Sequence, residues 1–141
     1  MRFSTAISTI ALALSGSAIA QSTEEVTITS LTLHKAGVSG TSVGTVDGAA
    51  FKLDGNDGKG IDCSATAAGI TSGVPTADLA CGSSTYKFSV LPGADASTFG
   101  LKITHNAISG QGTVNVVCRS GGGDTSVCSL TSDSLKISLK A

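Results

Sequence analysis

From Ser134 to the end of the chain, SLKISLKA alternates apolar and polar side chains, with Leu135, Ile137 and Leu139 in one phase and Lys136, Ser138 and Lys140 in the other. A period of two is what a half-buried strand requires, because successive side chains point to opposite faces of a sheet. The same period groups Tyr86, Phe88 and Val90 in TYKFSVL, Phe99, Leu101 and Ile103 in TFGLKITH, and Val114, Val116 and Cys118 in GTVNVVCR. Each run predicts a strand with one face to bury. In EEVTITSLTLHK, Val26 and Ile28 share one phase and Leu31 and Leu33 the other. The alternation slips by one near Ser30, which predicts a bulge or bend.

AAFKLDGNDGKGIDCS reads as two strands, Ala49 to Leu53 and Ile61 to Cys63, joined by a glycine-rich reversal. Upstream, the pair Asp47-Gly48 is a hairpin-turn signal. Between Ser64 and Ala80 no period persists and Pro75 interrupts the chain, so a long loop with room for one helical turn is expected. Short strands, frequent turns and apolar residues that are largely Val, Ile and Leu make the class all-β. Such strands bury their apolar faces in a β-sandwich or by closing into an antiparallel β-barrel, and the pattern alone leaves both open.

The first twenty residues break the pattern. Arg2 precedes the mostly apolar run FSTAISTIALALSGSAIA, and Ala18 and Ala20 form an A-x-A cleavage pattern before Gln21. That is the form of a secretory signal peptide over residues 1–20, leaving one secreted domain over 21–141. No stop-transfer charge follows Ala20, and no later stretch approaches the roughly 18 apolar residues of a membrane span. An extracellular, soluble protein is expected.

Without Arg2 the remaining chain carries eight basic and ten acidic residues, a formal charge of −2 that favours neither nucleic acid nor an anionic membrane surface. Cys63, Cys81, Cys118 and Cys128 all lie in this portion, and an even number in an oxidising compartment is expected to pair. Asn56, Asn106 and Asn115 all lack Ser or Thr two residues on, so N-glycosylation is not expected.

Candidate chemistry is sparse. In CRSGGGDTSVC three glycines lie between two cysteines, yet a phosphate-binding loop needs Lys and Ser or Thr after its glycines, and here Asp124 follows. A carboxylate there repels phosphate. The stretch fits a wide hairpin loop whose glycines take positive φ and whose base is clamped from Cys118 to Cys128. DGNDGKGID resembles a calcium loop at Asp54 and Asn56, but Gly58 stands at position five, Lys59 where glycine is needed, and Ala65 where a bidentate Glu belongs. A turn with solvated carboxylates is the better reading. His34 and His105 each follow a predicted strand and lie in no hydrolase or zinc-binding motif, so both are expected at the surface. A secreted hydrolase would have to rest on one of them. Cysteine spacings of 18, 37 and 10 contain no zinc knuckle. With Tyr86, Phe51, Phe88 and Phe99 as the only aromatic residues after the signal, a sugar-stacking platform is not expected either. No catalytic, cofactor-binding or metal-binding residue is assigned.

IDCSA, then ACGSSTYKFSV, then CRSGGGDTSVC and a closing LKISL resemble the Alternaria major-allergen family of small secreted fungal proteins, which includes elicitors of plant hypersensitive cell death. The resemblance runs from about Glu24 to the C-terminus. Its most specific part is Cys118, Arg119, Gly121 and Gly122, closed by Val127 and Cys128, with Cys63-Ser64-Ala65 and Cys81-Gly82 before it. It implies a compact antiparallel β-barrel and, of three possible connectivities, the pairs Cys63 with Cys81 and Cys118 with Cys128. It implies no catalysis and no cofactor. Members are described as effectors that engage host defence proteins, including thaumatin-like pathogenesis-related proteins, and as flavonoid carriers. The expectation is therefore a non-enzymatic effector or elicitor with a host protein partner; the alternative is a carrier of a small apolar phenolic ligand. Two departures matter. The allergen branch links its dimer through an extra cysteine, and Gln21 to Asp62 contains none, which leaves a monomer or a non-covalent dimer. This chain is also poorer in aromatic residues than the allergen.

Overall fold

The computed structural model describes residues 23–36, 45–66, 68–70, 73–95, 97–122 and 125–141. The expected signal peptide over residues 1–20 and the tip of the triple-glycine loop at 123–124 lie outside the described residues. The strands are β1 (Thr23–Ala36), β2 (Thr45–Gly55), β3 (Gly58–Ala65), β4 (Leu79–Ala80), β5 (Tyr86–Pro92), β6 (Thr98–His105), β7 (Ile108–Gly122), β8 (Thr125–Leu130) and β9 (Ser134–Lys140). The order across the sheet is β3-β2-β1-β8-β7-β6-β5-β4, with β9 pairing β1 and β7.

Two long strands let this sheet curl into a barrel. Over Thr23–Thr29, β1 pairs with β9, and over Thr32–Ala36 it pairs with β8. The change of partner falls at the slip in alternation. Ser30 takes a φ of 55°, and the register against β2 shifts between Thr29 and Thr32. The extra residue bends the strand and returns Leu31 and Leu33 to the side occupied by Val26 and Ile28, so all four are buried. In the same way β7 pairs with β6 over Ile108–Asn115 and with β8 over Val116–Gly122. Where β7 and β9 meet, a Cβ on Gly110 would lie 2.0 Å from the Ser138 carbonyl oxygen. Glycine permits that approach.

The two ends of the sheet, β3 and β4, share no ladder, and the Cys63–Cys81 disulfide crosses the seam between them. Cys118 and Cys128, directly opposite in the β7–β8 register, form the second disulfide. The interior is filled by side chains from the inward phase of the strands. Tyr86, Phe88, Leu53, Leu101, Ile103, Ile137 and Leu139 are fully buried, and the Phe51 and Phe88 rings meet edge to face at 5.0 Å. Each aliphatic side chain so buried contributes about 1.5–3 kcal/mol relative to exposure.

Two sequence expectations change. Asp47-Gly48 is no turn: Gly48 lies inside β2, opposite His34. A two-residue turn of that type needs positive φ at both positions, and among the described residues positive φ falls on Ser30, Asn106, Gly60, Gly73 and Gly82. Glycine serves a different purpose here, since a Cβ on Gly48 would lie 3.1 Å from the His34 Cβ. The stretch 64–80 keeps its expected single turn, but both of its ends belong to strands. Ser64 and Ala65 end β3, Leu79 and Ala80 pair with β5, and between them the Gly69 and Ile70 N–H groups both donate to the Thr66 carbonyl in a single turn.

Candidate functional site

The inward phase of three strands carries polar side chains to one end of the barrel. Stepping back from Val26 by two places Glu24 inside, and stepping on from Ile103 by two places His105 inside; they are 7 % and 7 % exposed. Tyr86, at the start of β5, stands directly opposite His105 in the β5–β6 ladder, and the two rings stack with centroids 4.0 Å apart. The β2–β3 turn brings Asp57 to the same point from across the seam.

These groups satisfy one another. The Tyr86 hydroxyl donates to the Glu24 carboxylate and accepts the Asp57 N–H at 3.1 Å. The Asn56 N–H donates to Glu24 at 2.8 Å. His105 meets Glu24 through Nδ1 at 2.5 Å and Asp57 through Nε2 at 2.7 Å. The Thr85 hydroxyl lies 2.8 Å from Nε2 and 3.2 Å from Asp57 Oδ2. Gly55 makes this approach possible, because a Cβ there would fall 2.3 Å from the Tyr86 oxygen and 2.7 Å from Glu24 Oε2.

Charge follows from the contacts. Burial alone would push the Glu24 carboxyl up, but hydrogen bonds from Tyr86, Asn56 and His105, with the imidazole charge, hold it below the usual carboxylate value. Burial works against a charged His105, yet hydrogen bonds and charge from Glu24 and Asp57 raise it above its usual value. Burial and then Glu24 push the Tyr86 phenol up to about 12.

The hydroxyl–imidazole–carboxylate sequence Thr85, His105, Glu24 has the outline of a nucleophile relay, but its chemistry is different. A general base needs a free lone pair on Nε2. Here a second carboxylate, Asp57, faces that nitrogen and favours the ring that already carries both protons. The Asn56 and Asp57 N–H groups, the nearest candidates to hold an oxyanion, are spent on Glu24 and Tyr86. Among the described residues no group of three or more His, Cys, Asp or Glu side chains is placed to hold a metal ion.

The expectation of two surface histidines is therefore corrected for His105, which the β6 alternation carries into the barrel. His34 lies within β1, is partly exposed and pairs with Asp47. The reversal in DGNDGKGID is a turn, as read, but its carboxylates are engaged: Asp54 accepts the Gly60 N–H at 2.6 Å and Asp57 holds His105. The cluster itself went unread in the sequence. Its signal was the phase, since Glu24 and His105 continue apolar rows by one step.

Among the grooves that the described residues form, two bear on function. One of about 300 Å³ adjoins the cluster, with Glu24, Asn56, His105 and Asn106 among its walls. A second, of about 540 Å³, lies on the β1–β2–β3 wall, where Leu33, Ala49, Ala50, Ala65 and Val127 surround the His34–Asp47 pair.

Fold and cluster define a small all-β barrel, stapled by two cystines, whose buried polar groups are spent on holding it shut. The chain belongs to the Alternaria alternata allergen 1 family, whose model matches residues 28–131. Two crystal structures of the Alternaria alternata major allergen Alt a 1 share the fold, each at 22 % sequence identity over 82 % of this chain. Their TM-scores are 0.57 and 0.54, with 91 % and 86 % of the allergen chain covered. No curated protein matches the chain.

Proposed function

We propose that this chain is a secreted, non-enzymatic fungal protein that acts as an effector or elicitor by binding a plant defence protein with its outer surface. The family match over residues 28–131 carries this reading. The packed barrel interior and a polar cluster consumed by its own contacts support it, because both turn function outward. The export pattern before Gln21 agrees with it. By family resemblance the partner is a thaumatin-like pathogenesis-related protein. The test joins a pull-down from plant apoplastic fluid to leaf infiltration with pure protein. A defined defence protein in the eluate and a local defence response are expected; an empty eluate with no response removes the reading.

A second reading is favoured by the 540 Å³ groove. Its apolar lining of Ala50 and Val127, with His34 and Asp47 as polar handles, suits a small flat phenolic. Calorimetric titration with plant phenolics should give micromolar binding that Ala50→Trp, at the groove, abolishes. Binding unchanged in that variant, or none in the parent, rejects it.

A further inference from the structure

The seam between β3 and β4–β5 is fastened at two places, by the Cys63–Cys81 bond and, toward the β2–β3 turn, by the contacts of Asn56 and Asp57 with Glu24, Tyr86, Thr85 and His105. No ladder joins β3 to β4, so the second fastening is made of hydrogen bonds and charge. We propose that His105 is a proton-operated latch: its doubly protonated ring holds the β2–β3 turn against the barrel end, and loss of one ring proton releases the turn and loosens the seam beside the Cys63–Cys81 bridge. This goes beyond the proposed function and does not depend on it.

The inference rests on a count of donors. Glu24 and Asp57 approach opposite ring nitrogens at 2.5 and 2.7 Å, and each contact requires an N–H from the ring. An imidazolium has two and a neutral imidazole one. The groups facing the ring are Glu24 from β1, Asp57 from the β2–β3 turn, and Tyr86 and Thr85 from β5 and its approach. Glu24 and Asp57 are the charged ones among them, and both favour the charged ring, in keeping with its raised pKa.

Which contact fails on deprotonation follows from burial. The Glu24 side chain is 3 % exposed, so water cannot replace a lost donor, and the remaining proton stays on Nδ1. The Asp57 side chain is 52 % exposed and, facing a lone pair on Nε2, turns to water. The Thr85 hydroxyl then donates to Nε2. The turn keeps only its two main-chain bonds to Glu24 and Tyr86. Its outward movement extends the 300 Å³ groove toward Tyr86.

Hydrogen exchange of the full, disulfide-intact protein between pH 5 and 9, corrected for intrinsic rates, tests this. Peptides covering 54–60 should lose protection as pH rises through the His105 pKa read by NMR on the same sample. The loss should be about tenfold for each unit by which that pKa exceeds the one read in Asp57→Asn, where Glu24 still faces the ring but the carboxylate of the turn is gone. Peptides over 99–103 should hold theirs. In His105→Gln the turn should sit at the alkaline wild-type level at every pH, and Asp57→Asn should remove the pH dependence. His34→Gln should keep the wild-type profile. If His105→Gln fails to fold, Asp57→Asn, at a half-exposed position, carries the test. A turn whose protection stays flat while His105 titrates, or a pH dependence that survives Asp57→Asn, overturns the latch.

Discussion

Tyr86 and His105 face each other across the β5–β6 ladder with their rings stacked 4.0 Å apart, and both reach the same buried carboxylate, Glu24. A phenol and an imidazole thus share one acceptor at the only end of β5 that touches the β2–β3 turn. The contacts with Glu24 bridge 62 and 81 residues of chain. They tie the first strand to the middle of the fold.

Tyr86→Phe keeps the packing and removes one hydroxyl, leaving Glu24 with one donor fewer and the Asp57 N–H without an acceptor. A hydrogen bond to a charged group contributes about 1.5–3 kcal/mol, so a loss of about that size is expected from urea unfolding at pH 6. A loss under about 0.5 kcal/mol would show that the hydroxyl is not bonded as described.

Because Tyr86 is the only tyrosine and the chain has no tryptophan, ultraviolet titration of the folded protein reads this residue alone. Ionisation should be centred at about 12. The unfolded chain loses the same proton near its ordinary value of 10, so stability falls as pH rises above that point. A midpoint at 10 with the fold intact contradicts the burial of the phenol.

Stability should also have a mildly acidic optimum. The His105 pKa is raised on folding, so its contribution is complete below the ordinary 6.5 and is lost as pH rises through the folded value. The Glu24 pKa is lowered, so its contribution is complete above the ordinary 4.5 and is lost as pH falls through the folded value. Urea midpoints measured from pH 3 to 9 should peak between those limits, and His105→Gln should remove the fall on the alkaline side while making the acid side shallower, since the imidazolium helps to hold Glu24 low.

Gly55→Ala places a methyl group 2.3 Å from the Tyr86 oxygen, and overpacking of this kind costs about 1–3 kcal/mol. Gly60→Ala is the useful comparison: nothing lies within 4 Å, but φ is +64°, so the cost there is backbone strain of about 1 kcal/mol. Only the first change should lower the Tyr86 ionisation midpoint.

The two disulfides should differ in consequence. In the chain-entropy model each contributes roughly 3 kcal/mol for loops of these lengths. Cys118–Cys128 links strands that are already paired, whereas Cys63–Cys81 crosses a seam with no ladder. Cys63→Ser with Cys81→Ser should therefore lower the melting temperature more than Cys118→Ser with Cys128→Ser. Non-reduced peptide mass spectrometry should recover the same two pairs.

Much of the fold was legible because it is written locally. Alternation at Leu135, Ile137 and Leu139, and the slip at Ser30, each need only neighbouring residues, and the strands and bend lie where they point. Asp47-Gly48 misled because a dipeptide that suits a turn also suits close strand approach, and the partner that decides, His34, is remote in sequence. The cluster was hidden for a similar reason. A Glu or His at the end of an apolar row reads as the point where a strand reaches water, and only tertiary pairing supplies the partners that make burial tolerable.

The shared first strand has a bearing on how the molecule is made. Since β1 finds its neighbours on one side in β8 and β9, a nascent polypeptide halted before Thr125 has no wall against which to dock Val26, Ile28, Leu31 and Leu33 on that flank. Assembly must wait for the last segment to arrive, and truncation near the C-terminus should leave a sticky, aggregation-prone half-shell instead of a smaller version of the native protein.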